Sequence, residues 1–155
     1  MNARRERMFQ HLVDAFEKQR NERLGSQLRA RKVESTEART LGALQDFRQD
    51  RLGQRRERNN AAEQSVSVPQ QVTESRFDSR LVEAIESQTS KLARAREVSA
   101  NSQAALQRAQ RKLTAMNLLL ERQRQRARRK VLAGEQKLAD EMASQKRFAA
   151  GNKGS

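Results

Sequence analysis

The densest group of charged side chains is a basic run from Arg122 to Lys130, here called the basic collar. It has six basic residues in nine positions and no acidic residue after Glu121. Its arginines are Arg122, Arg124, Arg126, Arg128 and Arg129. Such a run attracts an acidic protein ring or a phosphate backbone. The competing interpretation is a solvated helix face that pairs with acidic residues elsewhere in the chain, namely Asp14, Glu17 and Glu22.

Groups that could support catalysis are sparse. His11 is the single histidine, the chain has no cysteine, and neither a GxxxxGK phosphate loop nor an HExxH metal motif occurs. No aromatic residues are interleaved with the basic collar for base stacking, and no nucleic-acid reader motif is present. We therefore expect a protein that is not an enzyme and needs no catalytic, cofactor-binding or metal-binding residues.

Composition favours helices over a thick core. Of 155 residues, 34% are charged, 35% are apolar and 3% are aromatic, and the net charge is +14. Arg, Glu, Gln, Ala and Leu dominate, which is typical of coiled coils. Neither a signal-peptide core between Met1 and Phe16 nor a membrane-spanning apolar run is expected.

A heptad seam between Leu81 and Ala127 positions the basic collar. Residues at alternating steps of four and three include ten apolar and four polar residues and no charged ones. The apolar members are Leu81, Ile85, Leu92, Ala95, Leu106, Ala109, Leu113, Met116, Leu120 and Ala127. The polar members, Gln88, Ser99, Ser102 and Gln123, either specify the register or let the helix bend. This pattern predicts a long coiled-coil helix that needs a partner.

The first half of the chain supplies that partner. A first helix is predicted at about 3–64, bent or frayed at Gly25, Gly42 and Gly53, or broken there in the alternative interpretation. A turn is predicted at about 65–73 around Pro69, followed by a second helix at about 74–148 and a disordered tail at 149–155. The apolar positions of the first helix are Phe9, Leu12, Phe16, Leu24, Leu28, Val33, Leu41, Leu44, Phe47 and Leu52. The predicted fold is all-α, one long antiparallel two-helix coiled-coil hairpin over 1–155.

A turn centred near Pro69 would place position i beside roughly position 138 minus i, so that Leu41 faces Ala95 and Phe16 faces Leu120. Helix two would then overhang beyond about residue 135. Leu138 and Met142 share one face there, because they are four residues apart on a helix with 3.6 residues per turn. We expect this segment to bind a partner through these two residues and the surrounding charges Glu135, Lys137, Asp140 and Glu141.

Two segments of helix two resemble a known family. They are Leu120-Glu121-Arg122-Gln123 and, after eleven residues, Glu135-Gln136-Lys137-Leu138-Ala139-Asp140-Glu141-Met142-Ala143. Together they resemble the C-terminal part of the FliJ/YscO/SctO family of type III secretion central stalk proteins. The resemblance implies an antiparallel coiled coil that inserts its paired termini into the hexameric export ATPase and points its turn towards the export gate. It also implies a cytoplasmic position at the base of the secretion apparatus and, as further candidate partners, secretion chaperones.

The resulting functional hypothesis is a stalk that couples the export ATPase to the gate, in an injectisome in preference to a flagellum. Two alternatives stay open. One is a basic coiled-coil protein that binds nucleic acid or a ribosome. The other is a homodimeric scaffold in which the seam pairs between two chains.

Overall fold

The computed structural model describes residues 3–61 and 67–151. These residues form two α-helices, α1 (Ala3–Asn60) and α2 (Val68–Gly151), and contain no strand. The helices pack against each other as an antiparallel pair, so the predicted two-helix hairpin is confirmed. No helix in the described ranges is long and apolar enough to cross a membrane.

The start of α2 differs from the prediction. The helix begins at Val68 and not at 74, with Pro69 inside its first turn, where a proline has no intrahelical hydrogen bond to lose. The carbonyl of Ser67 accepts the N–H of Gln71 at 3.1 Å, as expected of a residue that caps a helix. Thr73, the last residue of the predicted turn, lies inside α2 and donates its hydroxyl to the carbonyl of Pro69 at 3.0 Å.

The other boundaries move less. α1 continues through Gly25, Gly42 and Gly53 without a break, which removes the alternative of a first helix interrupted by its glycines. α2 extends to Gly151, slightly beyond the predicted end at 148. The end of helix one at 64, the beginning of the turn at 65 and residues 152–155 of the predicted tail lie outside the described residues. The description of 1–155 as one domain stays a prediction, because the chain divides into two compact units.

The first unit combines residues 1–20 with residues 108–155. Its core is apolar: Val13, Leu113 and Leu120 are buried, and the half-buried Phe9, Phe16 and Met116 pack against them. Phe16 and Leu120 therefore belong to the same cluster, as the seam suggested. This cluster holds the N-terminal segment of α1 on α2.

The second unit, residues 21–107, is more polar inside. Leu81, Leu92, Ala30 and Ala95 are buried, but so are Gln27, Gln88 and Ser99. The Gln88 amide donates to the carbonyl of Glu37 at 3.1 Å and also contacts the Glu37 carboxylate. The amide nitrogen and oxygen of Gln27 have no hydrogen-bond partner within the described residues. In this unit, α1 and α2 are thus held together with few large apolar side chains.

All fourteen seam positions of α2 are buried or half-buried, whereas the inner face of α1 was poorly predicted. The exposed side chains of α1 include five of the ten that had been assigned to its apolar face: Leu12, Leu24, Leu28, Val33 and Phe47. Polar residues occupy inner positions at heptad spacing instead: Glu6, Gln27, Glu34, Glu37, Arg51 and Arg55. A search for apolar periodicity therefore could not find this face.

The register also differs from the prediction. Glu6 pairs with Arg124 in the first unit, and Glu34 pairs with Arg96 in the second. Position i therefore lies beside roughly position 130 minus i in each unit. Leu41 consequently does not face Ala95.

Candidate partner-binding site

Towards its end, α2 is not covered by any other described part of the chain. Ala127 is the last half-buried residue, and every described side chain from Arg128 to Phe148 is exposed. We call residues 128–148 the unpaired segment. It begins earlier than the predicted overhang at about 135, because the register is shifted.

The heptad seam of α2 loses its apolar residues where the unpaired segment begins. Continued at steps of three and four beyond Ala127, the seam would fall on Lys130, Gly134, Lys137 and Glu141. None of these residues has an apolar side chain, so the apolar seam of α2 ends at Ala127.

A separate apolar stripe follows on the unpaired segment. Val131, Leu138 and Met142 share one face of the helix and are 60, 60 and 63% exposed, and Leu132 and Phe148, 61 and 81% exposed, lie to either side of that face. Scattered exposed apolar residues are normal on proteins. Here, several exposed apolar residues recur on a helix that no described part of the chain covers. Such a group is typical of a surface that binds another protein. The sequence prediction included Leu138 and Met142 but missed Val131 and Leu132. The signal that could have identified these two is that they are large apolar residues adjacent in the sequence.

The residues predicted to bind a partner lie on this segment or next to it. Glu135, Lys137, Leu138, Asp140, Glu141 and Met142 are all exposed. Among the described residues none of these charges forms an ion pair within 4 Å. Their environment is solvent, so their charges are available to another molecule.

The basic collar divides into a structural and an exposed part. Arg124 is half-buried, and its Nε donates to the Glu6 carboxylate at 3.0 Å. Arg122, Arg126, Arg128 and Arg129 are exposed, and across the described ranges they have no acidic partner within 4 Å. Asp14, Glu17 and Glu22, the predicted acidic partners, do not pair with the collar there. Arg124 therefore helps hold α1, while the other four arginines project positive charge.

An open groove of about 670 Å³ lies where α1 begins and the unpaired segment departs. Ala127, Val131 and Leu132 supply its apolar surface, and Glu6 and Arg128 are among its charged lining residues. Apolar lining with charged edges suits a protein surface better than a small polar ligand. The groove is continuous along the chain with the apolar stripe.

Groups for metal or acid–base chemistry do not converge here. His11 is exposed. Within the residues that the structure describes, no group of three or more His, Cys, Asp or Glu side chains could hold a metal ion.

Comparison with curated proteins and with solved structures finds no significant match. A protein-family model does match: Flagellar FliJ protein, over residues 5–152. The matched range includes both helices, the basic collar and the whole unpaired segment. This chain therefore belongs to the FliJ family.

Proposed function

We propose that this chain is the central stalk of a type III export apparatus, and that it inserts the unpaired segment of α2 into the export ATPase hexamer and couples that ring to the export gate. The FliJ family is a family of flagellar and type III secretion stalk proteins, which places the chain in this class of apparatus. The carrying observation is the unpaired segment, with its apolar stripe and the exposed arginines beside it.

The physical argument starts from the cost of exposing apolar surface. Each large apolar side chain that is fully buried gains about 1.5–3 kcal/mol relative to leaving it exposed. The stripe from Val131 to Phe148 therefore favours an apolar environment, which the interior of a protein ring can supply. The exposed collar arginines would meet acidic residues at the mouth of such a ring, where opposite charge speeds association and fixes orientation.

The proposal includes finer assignments. The stalk catalyses no reaction, acts in the cytoplasm at the base of the apparatus, and serves an injectisome in preference to a flagellum. The turn between α1 and α2 would face the cytoplasmic domain of the gate protein, and secretion chaperones are further candidate partners. Family membership and the resemblance of residues 120–143 support a place in an export apparatus, whereas the matched family model is a flagellar one and does not support the preference for an injectisome.

The test is stimulation of the cognate ATPase by purified variants. Leu138→Asp combined with Met142→Asp should abolish stimulation, because two carboxylates would have to enter the apolar contact. Leu118→Asp combined with Leu119→Asp is the matched control, since both residues are exposed on the paired part of α2. Full stimulation by the first variant, or an equal loss in both, would contradict insertion of the unpaired segment.

The collar is tested in the same assay. Arg126→Glu with Arg129→Glu should weaken ATPase binding, whereas Arg108→Glu with Arg111→Glu changes net charge equally at exposed positions outside the collar. Binding lowered equally by both variants would show that net charge, and not the collar, matters.

Nucleic acid or ribosome binding is the second candidate function, and the four exposed collar arginines favour it. If the chain is a stalk, any binding of nucleic acid should be weak and should fall steeply with salt, because it would depend on counterion release alone. Tight, sequence-selective binding to RNA at physiological salt would favour this function over the stalk. The homodimeric scaffold has less support, because α1 of the same chain already covers the α2 seam in each unit.

A further inference from the structure

A second groove lies within the other unit, between α1 and α2. It measures about 560 Å³ and includes Ala30 and Val33 from α1 and Ala95 and Val98 from α2. Ala30 and Ala95 are buried at 8 and 9% exposure and form the floor because their side chains are short. Val33 and Val98 remain 52 and 56% exposed and form the walls. The result is an apolar channel between two helices, open to solvent.

The rim of this groove is positively charged. Arg29, Lys91 and Arg94 line it and are exposed. In the parts of the chain that are described, none of them has an acidic partner within 4 Å. Glu37 is the acidic lining residue, and its carboxylate contacts the buried Gln88 amide. The groove therefore presents apolar walls and uncompensated positive charge.

We propose that this groove is a docking site for an acidic amphipathic α-helix of another protein. Helices commonly bind such grooves by laying an apolar face between the walls, with anchors at helical spacing. Val33 and Val98 would contact that apolar face. Arg29, Lys91 and Arg94 would pair with carboxylates beside it, which selects an acidic helix over a basic one.

Other occupants fit the groove less well. No aromatic side chain lines it, so it offers no stacking platform for nucleotide bases. A second copy of this chain would bring a net charge of +14 to a basic rim. This site differs from the unpaired segment in residues and in partner, so it stands apart from the proposed stalk function.

The experiment measures binding of three synthetic helical peptides, each of about 18 residues, or five turns. The first carries Leu along one face and Glu on the other. The second contains the same residues in scrambled order, and the third has Lys in place of Glu. Fluorescence anisotropy at physiological salt should show the amphipathic acidic peptide binding at least about tenfold more tightly than either control.

Variants locate the site. Lys91→Glu with Arg94→Glu should weaken binding of the acidic peptide at least about tenfold. Arg108→Glu with Arg111→Glu, an equal change of net charge at exposed positions, should weaken it less than about twofold. Val98→Asp should also lose binding, whereas Leu118→Asp should not. Circular dichroism of each variant separates lost binding from lost helix.

Several results would overturn the proposal. If the scrambled peptide binds as tightly as the amphipathic one, or if both charge-reversal pairs weaken peptide binding equally, binding depends on net charge and not on the groove. Binding of duplex RNA together with no binding of the acidic peptide would identify a nucleic-acid surface. A dimer in sedimentation that Val98→Asp dissociates would make the groove an interface between copies. ATPase stimulation should be unchanged in Val98→Asp, so failure here is distinguishable from failure of the stalk proposal.

Discussion

Two regions of this hairpin hold α1 on α2 by different physical means. In the first unit, the contact is the apolar cluster of Phe9, Val13, Phe16, Leu113, Met116 and Leu120. In the second unit, near the turn, Arg51 and Arg55 both bond the Asp78 carboxylate, and Arg58 bonds Glu74 at 3.0 Å. The same heptad geometry therefore serves an apolar contact in one region and an ionic one in the other.

The ionic region also contains an aromatic contact. The Arg51 guanidinium lies 4.4 Å from the centroid of the Phe77 ring, and the Phe47 and Phe77 rings meet edge to face at 6.1 Å. Because the arginine and aspartate side chains are about a quarter exposed, water weakens their attraction. The comparison teaches that burial in the apolar cluster contributes more stability, whereas the ionic region contributes orientation and sensitivity to salt.

The largest expected effect is at Leu113, which is 7% exposed inside the apolar cluster. Leu113→Asp removes a buried leucine and puts an unpaired carboxylate in its place, so the free energy of unfolding should fall by about 3 kcal/mol or more. The thermal midpoint of helicity by circular dichroism measures this. Arg108→Asp, at an exposed position, should be nearly silent. Similar midpoints for the two variants would mean that the apolar cluster does not hold the helices.

A smaller effect, an increase in the free energy of unfolding, is expected from a substitution at Gln27. Its side chain is 5% exposed, and neither amide atom has a hydrogen-bond partner in the residues described. Gln27→Leu removes this desolvation penalty, so we expect a gain of about 1–2 kcal/mol and a higher melting temperature. Gln45→Leu, at an exposed position, is the control. A lower midpoint for Gln27→Leu would show that the amide is hydrogen-bonded in solution.

In the ionic region we expect Asp78→Asn to reduce the free energy of unfolding by about 0.5–1 kcal/mol at low salt. The difference from wild type should shrink in 1 M salt, where the Debye length falls to about 3 Å. Leu113→Asp should keep its full effect at high salt, because it acts through burial. Melting curves at two salt concentrations make this comparison, and a salt-independent loss in Asp78→Asn would contradict an ionic contact.

The smallest effect on stability is expected from deleting residues 135–155. The described side chains in this range are all exposed, so their removal takes away no tertiary packing. The melting temperature should therefore change by no more than about 2 °C, the shift that roughly 0.5–1 kcal/mol produces in a chain of this size. The same deletion should abolish ATPase stimulation. A large drop in melting temperature would show that the segment packs on the hairpin.

The α2 sequence alone determined much of the fold. Its seam from Leu81 to Ala127 alternates by four and three without a charge, and that pattern is sufficient to predict one long helix with one covered face. The apolar seam ends at Ala127, the last half-buried residue of α2, although the overhang was predicted to begin only at about residue 135. Leu138 and Met142 could be identified as candidate binding residues from spacing alone, because apolar residues beyond the seam have no partner in a hairpin.

Only the tertiary structure decided the register, the inner face of α1 and the roles of individual arginines. α1 places Gln27, Glu34, Glu37 and Arg51 at inner positions, where their polarity hides the heptad from any search for apolar periodicity. Arg124 and Arg126 are equivalent in sequence, yet one pairs with Glu6 and the other is exposed. The physical reason is that a charged side chain is buried or exposed according to which residue the other helix brings opposite it, and that is set by the register of the two helices.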